Sequence, residues 1–240
     1  MGAESLAEAT AGAVSAFSSS FMLDGATYKR GAQLGFQGID FYFAGRCGVL
    51  GDVSADVATS ALAFFAPGAV HAAWDNSREV MPRAEAGAAF AGCLEQWALD
   101  HLGDDVDWVR LSELAREVVE AATVAGAPLF AAWRGAPQPA DVRADALFRM
   151  NLLRELRMAR HASAVIALGL DPGDAVRHRS PQMLGIFGWS TADLADDFAD
   201  VWAEAERLTN VAFDRDLSVL HDGQRTEFAA LCAAAVASVH

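Results

Sequence analysis

The chain has 240 residues, enough to bury a sizeable core, and its 53% hydrophobic content is inflated by alanine, the best intrinsic helix former. Its 18 Lys and Arg, seventeen arginines and the single Lys29, face 32 Asp and Glu, for a formal charge of −14. Binding a duplex by neutralising phosphates needs a basic stripe. The one locally basic stretch, 143–179, has an excess of only three and runs straight into the acids from Asp193 to Glu206, which argues against nucleic acid.

In chain order, residues 4–20 read as a first helix, with Leu6, Ala9, Ala13, Phe17 and Ser20 on one face. Residues 24–51 are punctuated by glycine and contain the aromatic run IDFYFAGR, expected as a buried helical turn because no partner strands follow. Ser54 is placed to N-cap a helix through Phe65, and Pro67 opens the next, which carries Val70, His71 and Trp74. Pro82 starts a longer helix to about Leu102, with Gly103 in the C′ role. Residues 107–125 space Trp108, Leu111, Leu114, Val118 and Ala122 by three or four, and Gly126 is expected to stop that helix. APLFAAW is a short apolar helix or turn, and GAPQPAD a Pro-rich linker.

Residues 140–169 form the most informative helix, apolar on nearly every side and so expected at the centre of a bundle. Asp171 caps a short helix with Pro172 at its first position. Ser190 with Asp193 suggests the start of a long acidic helix to about Phe213, and a final helix spans roughly 223–238. The fold class is therefore all-α: a multi-helix bundle around a buried central helix at about 140–169. The linker divides it into an N-terminal helical lobe (1–135) and a C-terminal one (140–240), either closely packed lobes or one domain.

Three cysteines, Cys47, Cys93 and Cys232, are far apart and odd in number, so free thiols are expected rather than a disulfide framework or a structural zinc site. His71, His101, His178 and His221 are dispersed, and no metal motif appears. GRCGVLG lacks the Lys-Ser/Thr of a phosphate loop. The first residues, MGAESLAEATAGAV, contain acids and no basic n-region, so no signal peptide is expected. No apolar run approaches the ~18 residues of a membrane span. A cytoplasmic protein is the expectation.

One constellation carries chemistry. Arg154, Arg157 and His161 fall within roughly a 60° sector of the central helix, in line with Leu147, Met150, Val165 and Leu168. Charge in an apolar stripe needs a partner. Two readings stand: an internal ion-pair network, or a pocket for a carboxylate or phosphate clamped by guanidinium forks, with His161 as its titrating group. Glu155 points about 100° away from Arg154, which sets it aside as that partner. Arg46, between Phe43 and Val49, is a second buried arginine, either bonded to loop carbonyls or facing a ligand. Tyr28, Trp74 and Trp133 are core aromatics or pocket walls.

The strings FYFAGRCGVLGDVSADV, FFAPGAVHAAW, AGAPLFAAW, LLRELRMARHASAV, GLDPGDAV and GWS, in this order, resemble an actinobacterial family of EvbL-like and SalK-like proteins, often labelled helix-turn-helix. The family's central helix reads approximately L-R-E-H-R-G-D-G-H. Arg154, Glu155, Arg157 and His161 match it; Leu156, Met158, Ala159 and Arg160 do not. The resemblance implies a winged segment after GWS, or a degenerate form of one in the C-terminal lobe. Here the acidic helix runs directly into EAERLTNVAF, without the expected hairpin. The leading expectation is a soluble protein that binds a small anionic ligand, or an accessory metabolic protein. The alternatives are a winged-helix-derived regulator that has lost DNA binding and an enzyme of secondary metabolism with His161 as general base. A homodimer through the C-terminal helices fits such a fold. No cofactor is indicated.

Overall fold

The computed structural model of the protein describes residues 5–239. These form thirteen α-helices and two 3-10 turns, and no β-strand occurs among the described residues. α1 (Leu6–Leu23) begins at a capping box: the Ser5 hydroxyl accepts from the Glu8 N–H, and the Glu8 carboxylate accepts from the Ser5 N–H. Its buried face runs through Leu6, Thr10, Val14, Phe17 and Phe21; Ala9, expected on that face, is exposed.

The glycine-punctuated stretch folds as two helices, α2 (Gly25–Gln33) and α3 (Asp40–Gly48). Its glycines serve packing. A Cβ on Gly45 would lie 2.6 Å from the Phe90 side chain, and one on Gly48 would overlap the Arg83 carbonyl. Small residues thus let α3 cross close to α6 (Arg83–His101). α4 (Ala55–Ala61) is capped by Ser54 but ends well before Phe65, and α5 (Pro67–Arg78) begins at its proline.

α7 (Trp108–Ala121) stops at the extended Ala122, short of Gly126, whose positive φ of 69° turns the chain into α8 (Pro128–Arg134). Gly103 has no positive φ: α6 ends on the extended Leu102 instead.

α9 (Val142–Ala167) is the central helix, about 39 Å long at 1.5 Å per residue, and it packs on α1, α6, α7, α8 and α12 (Phe198–Asp216). Asp141 caps it by accepting from the Arg143 and Ala144 N–H groups. It has a wet face near its end, where Ser163, Ile166 and Ala167 are exposed, although the pattern suggested apolar surroundings throughout. α10 (Pro172–Arg179) is capped by Asp171 as expected. A 3-10 turn (Pro181–Met183) leads into α11 (Leu184–Phe187), which closes on Gly188 with φ 79°.

Ser190 starts no helix. Residues 189–195 are irregular, and α12 begins only at Phe198. The reason lies in tertiary contacts. The Trp189 indole donates to the Phe64 carbonyl at 2.8 Å, the Ala66 N–H donates to the Phe187 carbonyl at 2.8 Å, and the Arg177 guanidinium takes the Ser190 carbonyl at 2.9 Å. These bonds tie 187–190 to the α4–α5 link and hold it out of a helix. α13 (Asp222–Ala237) packs back on α1, so the main apolar core runs from Leu6 to Ala235, and a smaller cluster of Val165, Ala175, Phe198, Trp202 and Ala205 forms where α10 and α12 meet the end of α9.

Candidate functional site

Arg46 sits on α3 on the side turned to α9. Its Nε donates to Glu155 Oε1 at 2.9 Å, its Nη2 to Glu155 Oε2 at 2.7 Å, and its Nη1 to the Tyr42 hydroxyl at 2.8 Å. This is a bidentate fork in a nearly sealed place, with side-chain exposures of 4% and 1%. Arg154 Nη1 donates to the same carboxylate at 3.0 Å. Glu155 is therefore the partner of Arg154 after all: α3 draws the carboxylate towards Arg46, and the long arginine stem reaches round to meet it. Burial pushes the Glu155 carboxyl up, but Arg46 and Arg154 outweigh it and hold it below the ordinary carboxylate range. Burial likewise opposes the charge on Arg46, and Glu155 overcomes that and keeps it cationic. The neighbouring Cys47 thiol is pushed up to about 12, chiefly by burial.

His161, two turns further along α9, is also buried. Its Nδ1 meets Thr209 Oγ1 at 2.9 Å, and that hydroxyl donates its own proton to the Ala205 carbonyl at 2.7 Å. The hydroxyl must then accept, so Nδ1 carries the imidazole proton and Nε2 presents a lone pair. Burial holds this imidazole below its ordinary value; Glu206 Oε1, 3.9 Å from Nε2, opposes that, and Arg157 adds to it. Phe64 stacks on the ring with centroids 5.3 Å apart, and Trp202 meets it edge-on at 5.1 Å.

Two voids open onto Arg46, Arg154 and His161, and a third, about 140 Å³, borders Glu155 from the side of Ser60 and Ala162. One, about 150 Å³, lies over His161 between Phe64, Met158, Val176, Phe187 and Trp202, with Arg179 and Ser180 at its rim. The other, about 60 Å³, lies over Arg154 and Arg46 beside Tyr42 and Phe65. Phe64, Met158 and Phe187 border both, so the voids are neighbours. Hydrogen bonds set this wall: Trp189 to the Phe64 carbonyl, and Ala66 to the Phe187 carbonyl. Two wider clefts lie away from these groups. One, about 410 Å³, is lined by α2 and α6; the other, about 490 Å³, borders the 135–139 linker.

The candidate residues thus separate. Arg46, Arg154 and His161 share the two neighbouring voids. Arg157 lies outside both, donating to Asn210 at 3.1 Å and Glu206 at 3.5 Å. Tyr28 is half exposed on α2, away from both voids. Trp74 is sealed in the core, its indole donating to the Val53 carbonyl at 3.0 Å with the Arg83 guanidinium 3.8 Å over its ring. Trp133 is buried and donates to the Arg46 carbonyl. Phe64, Met158, Phe187 and Trp202 were invisible as site residues in the sequence, where each reads as an ordinary apolar position. Met158 had one signal, since it interrupts the Arg154–His161 face. Among the described residues no group of three or more His, Cys, Asp or Glu is placed to hold a metal ion, and no helix is long and apolar enough to cross a membrane. The three cysteines are free thiols, Cys47 and Cys232 buried and Cys93 half-buried.

Comparison with known families matches residues 7–204 to a helix-turn-helix family. No curated protein and no solved structure matches the chain. The matched segment runs from the start of α1 into α12 and contains every residue that borders the two voids. On that span, the chain belongs to the helix-turn-helix family.

Proposed function

We propose that this member of the family binds a small anionic molecule in the paired voids over α9, with Arg154 and His161 as its polar contacts. The observation that carries the reading is the opening of both voids onto those two side chains, in walls that are mostly apolar, with Arg46 and Tyr42 also on the smaller void and Arg179 and Ser180 at the rim of the larger. Arg46 spends three of its five N–H donors on Glu155 and Tyr42, one from each nitrogen, whereas Arg154 spends one on Glu155 and has four more. Two guanidiniums against one carboxylate leave a positive excess beside the smaller void. The strings that carry the EvbL-like and SalK-like resemblance supply Tyr42, Phe64, Arg154, Met158, His161 and Val176 to this place, which supports an accessory role in the metabolism of such a ligand.

Thermal unfolding with a panel of carboxylates and phosphates tests the reading. A ligand at about 100 times its Kd stabilises the fold by about 2.7 kcal/mol, and Arg154→Met is expected to abolish that gain. An unchanged unfolding temperature with every anion in the panel overturns it.

A second reading, gene regulation through DNA, is favoured by the family match. Six of the seven arginines of 143–179, all but the exposed Arg179, weigh against it. Arg143, Arg149, Arg154, Arg157, Arg160 and Arg177 are each within ion-pair distance of a carboxylate, and no β-hairpin is present among the described residues to form a wing. A gel shift at low salt that weakens as salt is raised would establish this second reading. The neutral Nε2 of His161 also suits a general base, which needs an acidic substrate proton within about 3 Å; turnover lost in His161→Gln with binding retained would establish that role.

A further inference from the structure

The shapes of the two voids and the hydrogen-bonding character of their polar groups differ, and together they specify a ligand. The larger void, about 150 Å³, has aromatic walls: Phe64 lies parallel to the His161 ring and Trp202 stands edge-on to it. This void is a recess open to solvent on the side of Arg179 and Ser180, with room for roughly one benzene-sized ring against its aromatic walls. The buried polar group on its wall is His161, with Arg179 and Ser180 at the open rim; the imidazole Nδ1 proton is committed to Thr209, so Nε2, 3.9 Å from Glu206 Oε1, can only accept. A guest must bring a donor to that point, since a second acceptor would meet a lone pair with a lone pair. The smaller void, about 60 Å³, is the size of one or two water molecules at roughly 30 Å³ each. Its polar wall is Arg154, 13% exposed, together with Arg46 and Tyr42. A carboxylate fits that volume and that charge.

Resting on the anion-binding reading above, we propose that the site takes a single-ring aromatic acid with a hydrogen-bond donor on the side of the ring opposite its carboxylate. The ring fills the larger void, the carboxylate takes the free guanidinium N–H groups of Arg154, and the ring's hydroxyl or amino group donates to His161 Nε2. Met158 stands between the two voids, bordering both. Its unbranched thioether can move aside for the connecting bond, so it sets how wide the guest may be at its waist.

The experiment is a titration of the full chain with 4-hydroxybenzoate, benzoate and phenol, read by isothermal calorimetry. 4-Hydroxybenzoate is expected to bind at least roughly tenfold more tightly than benzoate, which lacks the donor, and than phenol, which lacks the anion, because each omission leaves a buried group unpaired. Arg154→Gln should erase the preference for 4-hydroxybenzoate over phenol while leaving phenol binding in place. Met158→Trp should block both voids. If that variant does not fold, Met158→Leu gives the same comparison with a stiffer side chain and is expected to weaken 4-hydroxybenzoate relative to phenol. Equal affinity for benzoate and 4-hydroxybenzoate overturns the donor requirement and leaves the anion site standing. Binding of phenol alone, unaffected by Arg154→Gln, overturns the carboxylate assignment. If none of the three aromatics binds while another anion shifts the unfolding temperature, the aromatic class is wrong and the anion reading survives.

Discussion

Glu155 carries opposite obligations to two arginines from different helices, and its neutralisation leaves Arg46 buried without a counter-charge. Breaking a buried pair by removing one partner typically costs about 3–5 kcal/mol. Glu155→Gln is therefore expected to lower the urea midpoint by a corresponding amount, far more than the removal of an exposed pair such as Arg207–Glu204. The pH dependence follows from the directions of the shifts. His161 titrates below its ordinary value in the folded chain, with Glu206 and Arg157 as the charged groups facing it. The unfolded chain thus takes the proton first. The contribution is complete above about pH 6.5 and is lost as pH falls through the folded value. Glu155, also depressed, adds a second loss below about pH 4.5. Denaturation midpoints measured between pH 8 and 5 should fall for the native chain and fall less for His161→Gln. At this scale the residue types were legible: charged groups in an apolar stripe announced charge that is at least half-buried. Their partners were not, because a helical wheel ranks neighbours on one helix and has no term for Arg46, 109 positions earlier.

At the scale of elements, two glycines separate propensity from packing. Gly12 lies inside α1 with open space around the position of a Cβ, so Gly12→Ala should stabilise by about 0.5–1 kcal/mol. Gly48 lies at the α3–α6 crossing, where a Cβ would overlap the Arg83 carbonyl and come within 2.6 Å of the Gly87 nitrogen. Gly48→Ala should destabilise by about 1–3 kcal/mol and, by pushing α3 outward, loosen the Arg46–Glu155 fork. Thermal unfolding of the two variants side by side checks both signs. Most helix starts were readable from caps and prolines, as Ser54, Pro67 and Asp171 show. Ser190 was misread, because an N-cap residue type signals a helix only where the following backbone is free to coil. Here Trp189 and the Ser190 carbonyl are already bonded to Phe64 and Arg177.

Taken whole, the molecule has a main apolar core that α1, α9 and α13 share across the Pro-rich linker, and a smaller cluster around Val165, Ala175, Phe198 and Trp202. The expected outcome is a single cooperative transition, with far-UV circular dichroism and tryptophan fluorescence coinciding; two separated transitions would mark the segments 1–135 and 140–240 as independent lobes. The formal charge of −14 adds self-repulsion that salt screens. Raising NaCl from low to physiological strength should therefore raise the unfolding temperature while leaving the sealed Arg46–Glu155 pair unaffected.

Helix content, the central place of 142–167 and the presence of charge inside it follow from composition and periodicity, which are local properties that every stretch of chain carries with it. The distribution of Arg46, Arg154 and His161 over two neighbouring voids, the exclusion of Arg157 and the retreat of α12 from Ser190 to Phe198 were settled only when helices from distant parts of the chain packed together. A void is the space that several elements fail to fill, and a hydrogen bond between helices is set by how they cross. Neither is encoded in the order of residues along any one of them.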